Sequence, residues 1–228
     1  MVTTGDRAAP GRRASPEGVV GGFGASTRAA DEALALMPDA ATVLLVEGIT
    51  DRIALETLAA ADGRDLAGEG VLVAPIGGAH AVRRVLTALA SAAASGVARP
   101  RLGGLCDRRE ENVFRRALTE AGPAAPRTRA ELAELGFFVC VDDLEEELIR
   151  AVGVPGVLEV FESAGDLRSF RVFQRQPAWR GRPVDAQLYR FVRSVSERNL
   201  LYAGLLAEAA ARQGSAPEPL AGLLEHAR

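Results

Sequence analysis

Val43-Leu-Leu-Val-Glu-Gly-Ile-Thr-Asp-Arg-Ile-Ala-Leu-Glu-Thr-Leu58 is the stretch on which the fold turns. Its first part, with Thr42, is a short apolar run without in-out alternation, the pattern of a strand covered on both faces. A turn carrying Glu47, Gly48 and Asp51 follows, and Ile53 to Ala61 then has helical spacing. The same unit repeats outward. Val71 to Pro75 is a second run, followed by a helix from Ala79 to about Ser95. Leu102 to Cys106 is a third run, followed by a helix over about Asn112 to Ala121. Phe137 to Val141 is a fourth, leading into a helix from about Leu144. Four continuous apolar strands separated by helices predict an α/β domain with a four-stranded parallel sheet, roughly residues 40 to 152, flanked by helices.

The chain has 228 residues, 48% of them apolar, with 27 Arg, no Lys, 30 Asp plus Glu and a net charge of −3. That is enough apolar material for a sizeable core and excludes collagen-like, coiled-coil and wholly disordered readings. The absence of Lys also excludes a Walker A phosphate loop. The longest charge-free stretch between arginines, Val85 to Ala98, is 14 residues and too short to span a bilayer. No apolar run follows Arg7, Arg12 and Arg13, so no secretory signal is read and cytoplasmic residence is expected. Cys106 and Cys140 each sit in an apolar stretch, the usage of buried reduced thiols.

Residues 1–25 are Gly, Pro, Ala, Ser and Arg without periodicity, and read as a disordered tail ahead of a short helix from Thr27 to Met37. The α/β domain is thus placed at 26–152 and an Arg-rich, mostly helical extension at 153–228. Residues 131 to 162 carry nine carboxylates against one Arg, whereas residues 165 to 200 carry eight Arg against three carboxylates, interleaved with Phe170, Phe173, Trp179, Tyr189 and Phe191. A long helix from about Asp185 to Gln213 and a short Pro-rich finish are expected to end the chain.

Ligands of an open parallel sheet gather outside the carboxyl ends of its strands. Strand one ends in Glu47-Gly-Ile-Thr-Asp51, strand three in Asp107-Arg-Arg-Glu-Glu111 and strand four in Asp142-Asp-Leu-Glu145, so three of the four strand ends deliver acids to one edge. Carboxylates crowded together repel unless a cation neutralises them. Oxygen donors without His or Cys favour Mg²⁺ or Mn²⁺ over zinc. Two such ions about 4 Å apart can clamp an in-line phosphoryl displacement. Each residue also has a purely structural use. Asp51 or Thr50 can cap the following helix, Glu110 and Glu111 can be first-turn acids, and Glu145 to Glu147 can be a solvated face. Gly77 and Gly78 can be turn residues and His80 a surface residue at a helix start.

Val43 to Leu58 resembles the opening motif of a TOPRIM domain. The later order, Pro75-Ile-Gly-Gly78, Gly104-Leu-Cys-Asp107 and Val141-Asp-Asp-Leu-Glu145, resembles the form found in OLD-family (overcoming lysogenization defect) nucleases, over about residues 40 to 152. Fainter likenesses lie at Ser196 to Ala203 and Pro217 to Leu220. The resemblance implies a compact Rossmann-like sheet and a Mg²⁺-dependent (or Mn²⁺-dependent) endonuclease or phosphodiesterase. Glu47 would be the acid or base near the scissile phosphate and a metal ligand. Asp51, Asp107 and Glu145 would be further ligands, with Glu110, Glu111 and Asp143 as additional candidates. OLD-family proteins usually carry an ATPase domain ahead of this one, and no segment here matches it, which makes a separate ATPase protein a candidate partner.

The chain departs from the family at two places. Where the family has a second strand-three carboxylate there is Arg109, so Glu110 or Glu111 must reach in. The family's C-terminal lysine aligns with Asn199, and Arg198 beside it is the candidate to stabilise phosphate charge. Arg168, Arg171, Arg175, Arg180 and Arg182 are candidate nucleic-acid contacts, with the aromatic faces between them as stacking platforms or, equally, as the core of a helical subdomain. DNA is expected ahead of RNA, and a homo-oligomer is open. The competing reading is a degenerate TOPRIM module that binds nucleic acid or a partner ATPase without cutting. A Rossmann-like small-molecule binder is weaker, because Glu-Gly-Ile-Thr-Asp lacks the spaced glycines of a dinucleotide fingerprint.

Overall fold

The computed structural model describes residues 31–32, 34–78, 81–94, 99–122 and 125–228. The expected N-terminal tail, residues 27–30 and 33 of the helix expected from Thr27 to Met37, and His80 lie outside the described residues. The chain runs β1 (Thr42–Val46), α1 (Ile49–Ala61), β2 (Val71–Pro75), α2 (Val82–Ala94), β3 (Arg101–Asp107), α3 (Glu111–Ala121), α4 (Arg129–Glu134), β4 (Phe137–Cys140) and α5 (Leu144–Ser163). Four more helices follow: α6 (Leu167–Gln174), α7 (Val184–Val192), α8 (Ser196–Gln213) and α9 (Glu218–His226).

The sheet order is β2-β1-β3-β4 and every pairing is parallel. All five residues of β1 are buried, as an uninterrupted apolar run in a two-faced sheet requires. Successive side chains of a strand point to opposite faces. Val43 and Leu45 therefore join α2, α3 and Phe137 in one core, while Leu44 and Val46 join α1 and α5 in the other. At the middle of the sheet Gly104 lets β3 approach its neighbours. A Cβ there would stand 2.8 Å from the Phe137 ring and 3.1 Å from the Leu45 carbonyl oxygen.

The C-terminal helices share the second core. Phe161, Phe170, Phe191 and Tyr202 are buried with Leu44, Leu55 and Leu148 in one continuous cluster. Their rings meet edge to face, with Phe161 at 5.2 Å from Phe170 and 4.8 Å from Tyr202 between centroids. Phe173 and Trp179 extend this packing, with ring centroids 5.2 Å apart. The interleaved aromatics are thus mainly the interior of the helical region. Of the two uses the sequence left open for them, the structure shows core packing.

Three elements differ from the expectation. The long helix from Asp185 to Gln213 is broken: Val195 is extended (φ −145°, ψ 153°), which separates α7 from α8. The Pro-rich finish contains α9, with a proline in its first turn, where the missing N–H costs nothing. Helix α5 is kinked at Gly153, whose φ of 73° only glycine adopts readily, and Pro155 follows two residues later.

Helix α9 is fastened to the amino-terminal side of the sheet. Arg64 donates from Nη1 to the Leu224 carbonyl at 2.7 Å, and Arg101 donates to the His226 and Arg228 carbonyls at 3.1 and 3.0 Å. These guanidinium groups satisfy the last carbonyls of the helix, where a cation is favourable. Arg64 is the more enclosed, its side chain 11% exposed. We expect Arg64→Ala to lower the unfolding free energy by about 1–3 kcal/mol in urea denaturation, and the exposed Arg101→Ala to cost about half as much or less.

Candidate functional site

Parallel strands that end together bring their following turns to one rim, and a cleft of about 840 Å³ opens there. Glu47 enters from the end of β1, Asp51 from the first turn of α1, Asp107 from the last residue of β3 and Glu145 from the first turn of α5. Gly77 and Gly78, after β2, form the fourth side, with their N–H groups donating to the Glu47 carbonyl at 3.1 and 3.3 Å. The helical region closes the cleft from above with Tyr189, Arg190, Arg193 and Asn199.

Each acid is set by a local cause. Asp51 Oδ2 accepts the Gly48 N–H at 2.8 Å, so this residue does cap α1 while its side chain lines the cleft. Asp107 Oδ1 accepts the Glu110 N–H at 2.9 Å, which folds the turn after β3. Glu145 is 6% exposed, which goes against the alternative of a solvated face. Glu147 is buried as well, with Oε1 accepting the Val141 N–H at 2.7 Å and Oε2 paired to Arg150 at 2.5 Å.

The electrostatics record the crowding. Burial pushes Glu47 up to about 7, and the carboxylates of Glu110, Asp107 and Glu145 push in the same direction, while Arg193 opposes them. Asp51 is pushed up to about 7 by burial, with Glu47 and Glu145 adding to it and the Gly48 N–H opposing. Both shifts say that negative charge is over-supplied at this rim. Burial, reinforced by the nearby carboxylates, also raises the thiols of Cys106 and Cys140, which make no disulfide.

Other expected residues are placed elsewhere or otherwise engaged. Glu111 is outside the cleft lining and is held between Arg115 and Arg129, the latter at 3.0 Å, which lowers its carboxyl. Asp143 lines the cleft, but its oxygens are occupied. Oδ1 accepts the Glu146 N–H at 3.0 Å, capping α5, and Oδ2 accepts from the Tyr189 hydroxyl and from Arg193, both at 2.5 Å. Arg198 is also outside the lining: it reaches Asp166 at 3.3 Å and Ser194 Oγ at 2.5 Å, and lies over the Phe191 ring at 4.2 Å. That arrangement braces the α7–α8 break. Arg109 and Asn199, the two departures from the family pattern, both line the cleft. Arg168, Arg171, Arg175, Arg180 and Arg182 are all exposed on the helical region.

Sequence reasoning missed Tyr189, Arg190 and Arg193 as cleft residues. The i, i+4 spacing of Tyr189 and Arg193 puts them on one helix face, but nothing local shows that this face meets residues 143–145. Burial, and then Asp143, raises Tyr189 to about 12, so it stays a protonated donor.

The donor set fits a hard divalent cation. It is all oxygen, it is crowded, and its repulsion on the Glu47 side is only partly offset by Arg193. Among the described residues no three acidic, His or Cys side chains already converge as a closed ligand set. Mg²⁺ keeps several waters and binds through one or two carboxylates, so a closed set is not required. Among the described residues, no helix is long and apolar enough to cross a membrane.

Comparison with known proteins bears on this arrangement. Residues 40–94 match the model of the family described as overcoming lysogenization defect protein-like, TOPRIM domain. The fold is similar to that of the C-terminal region of the Burkholderia pseudomallei OLD protein, with a TM-score of 0.56 at 18% identity, covering 82% of this chain and 97% of that one. It is similar also to the C-terminal region of the Xanthomonas campestris pv. campestris OLD protein, with a TM-score of 0.55 at 20% identity, covering 82% and 91%. No curated protein sequence matches the chain. The matched segment spans β1, α1, β2 and α2 and so contains Glu47 and Asp51, while the structural likeness takes in the helical region as well. Over residues 40–94 the chain is therefore similar to a TOPRIM domain of the OLD type, and its fold, a four-stranded parallel sheet continued by a helical C-terminal region, is that of the C-terminal regions of OLD proteins.

Proposed function

We propose that this cleft hydrolyses phosphodiester bonds of nucleic acid, DNA ahead of RNA, with Mg²⁺ or Mn²⁺ held by Glu47 and Asp107 and supported by Asp51 and Glu145. The observation that carries the reading is the joint elevation of Glu47 and Asp51 to about 7 in a cleft fed by three strand ends. A divalent cation bound there supplies Lewis-acid stabilisation of charge developing on the phosphate. Glu47, ionised once the metal is bound, can take a proton from an attacking water. Arg109 and Arg190 place positive charge on the cleft wall, where phosphate oxygens are received. The exposed arginines of α6 and of the α6–α7 connection hold the flanking backbone.

The test is nicking of supercoiled plasmid with Mg²⁺ and with Mn²⁺. Metal-dependent conversion to open circles supports the reading. A second reading, a module that binds nucleic acid or an ATPase without cutting, is favoured by one specific observation: Arg109 and Asn199 occupy the cleft where the family pattern has a carboxylate and a lysine. Retention of a labelled duplex without cutting in either metal is its signature.

The arginine face makes a separate prediction. Each phosphate neutralised contributes a slope of about −0.9 to log K against log salt on duplex DNA. Replacing Arg171, Arg175 and Arg182 together with Gln is expected to flatten that slope by up to about 3 in fluorescence anisotropy titrations. An unchanged slope would place the DNA on another face.

A further inference from the structure

We propose that Arg193 is a resident cation of the cleft, occupying its Asp143–Glu145 end so that the site accepts one divalent ion, on the Glu47–Asp107 side, in place of two. This rests on the metal-dependent reading above and refines it.

The guanidinium is held from several directions. Its Nη1 lies 2.5 Å from Asp143 Oδ2 and 3.8 Å from Glu145 Oε2. The Tyr189 ring is beneath it, with the guanidinium carbon 5.1 Å from the centroid, and the Tyr189 hydroxyl contacts the same Nη1. Tyr189 in turn donates to Asp143, so Tyr, Arg and Asp form a closed triangle. The break between α7 and α8 holds Arg193 there. Its backbone N–H still bonds to the Tyr189 carbonyl at 3.2 Å, while Ser194, held by Arg198, begins the turn.

This geometry decides which acids are open to a metal. Asp143 spends both oxygens on the α5 cap, Tyr189 and Arg193. Glu145 is 6% exposed and has a guanidinium beside it, so a metal ion on its carboxylate would be brought close to a fixed positive charge. Arg109 removes a further oxygen donor from the rim at the turn after β3. The Glu47–Asp107 side carries the opposite imbalance: Glu47, Asp51 and Asp107 line the same cleft, and among the described residues none of the three is in an ion pair. One end of the cleft is therefore partly neutralised by the protein itself and the other is left for an added cation. Arg193 acts here as a positioning residue. It binds Asp143, stands beside Glu145 and thereby sets the metal count.

The test counts bound Mn²⁺ per chain, using the electron paramagnetic resonance signal of free Mn²⁺ at pH 8 on the full chain. Wild type is expected to bind one ion. Arg193→Gln, which removes the charge, is expected to bind two, and Arg193→Lys, which keeps it, one. Circular dichroism melting checks that each variant is folded. Two ions in wild type would overturn the proposal even if no variant folded, and so would one ion in a folded Arg193→Gln. Failure of the metal-dependent reading looks different, because wild type then binds no Mn²⁺. A merely structural role for Arg193 would change the melting temperature and leave the ion count at one, which also overturns the proposal.

Discussion

Glu47→Gln is expected to reduce metal-dependent plasmid nicking by about 10²–10⁴-fold, the range for losing a positioned general base, and at the same time to raise the melting temperature of the metal-free protein at pH 8. The two effects have one origin. Glu47 is pushed up to about 7 by burial and by Glu110, Asp107 and Glu145. At pH 8 it is ionised in both folded and unfolded chains, and the fold holds that charge less favourably than water does. A neutral amide of the same shape escapes this cost. Near pH 5 the folded carboxyl is already protonated, so the stabilisation should shrink toward zero. Scanning calorimetry at the two pH values, beside the nicking assay, checks both halves. Asp107→Asn should also stop cutting, because it removes the second oxygen donor proposed for the metal, and its amide oxygen can still accept the Glu110 N–H. A variant that lost activity together with stability at pH 8 would point to damaged folding, whereas opposite signs point to a site kept at the expense of stability.

The sheet was legible because its strands are buried on both faces, and such strands leave an uninterrupted apolar run that needs no tertiary information to read. Thr42–Val46 and Val71–Pro75 are bounded in the structure where the sequence bounds them. The rim acids Glu47, Asp51, Asp107 and Glu145 were legible for a related reason: strand ends converge wherever the sheet is parallel, so acids at those ends share an edge. What failed depended on contacts distant in sequence. Arg193 meets Asp143 across 50 residues, and no periodicity in α7 points to that partner. Glu111 looked like a rim acid by position alone, but Arg115 one turn later and Arg129 from α4 draw it away. The break at Val195 was hidden because apolar residues on both sides of it keep helical spacing. The last helix was a different kind of failure. The expectation there was only a short Pro-rich finish, although a proline in a first turn, here Pro219, is as good a signal for a start.

The apparent affinity for Mn²⁺ is expected to rise steeply between about pH 5 and pH 7 and to level off above about pH 8. A carboxylate must lose its proton to bind a metal. Glu47 and Asp51 both carry folded values near 7, against 4.5 and 3.8 for the unperturbed groups. Below pH 7 each bound proton is therefore displaced by the ion, and affinity gains about tenfold per pH unit for each proton released. One coupled proton gives about 10² across the window, and two give up to about 10⁴. The metal-free protein should behave in the opposite sense. A carboxylate whose folded value is raised makes the folded chain bind more protons than the unfolded one between about 4 and 7, so stability falls as pH rises through that window and then flattens. Bound metal, by favouring the ionised forms, should reverse this fall. Stabilisation by saturating Mn²⁺, read as the melting-temperature difference with and without the ion, is then expected to be small at pH 5 and largest above pH 7. In Glu47→Gln one titrating group is gone, and the slope of log affinity against pH should drop by about one proton. A slope already below one in wild type, or an affinity flat from pH 5 to 8, would mean that these carboxylates are ionised without the metal and that the crowding at the rim is relieved by other means.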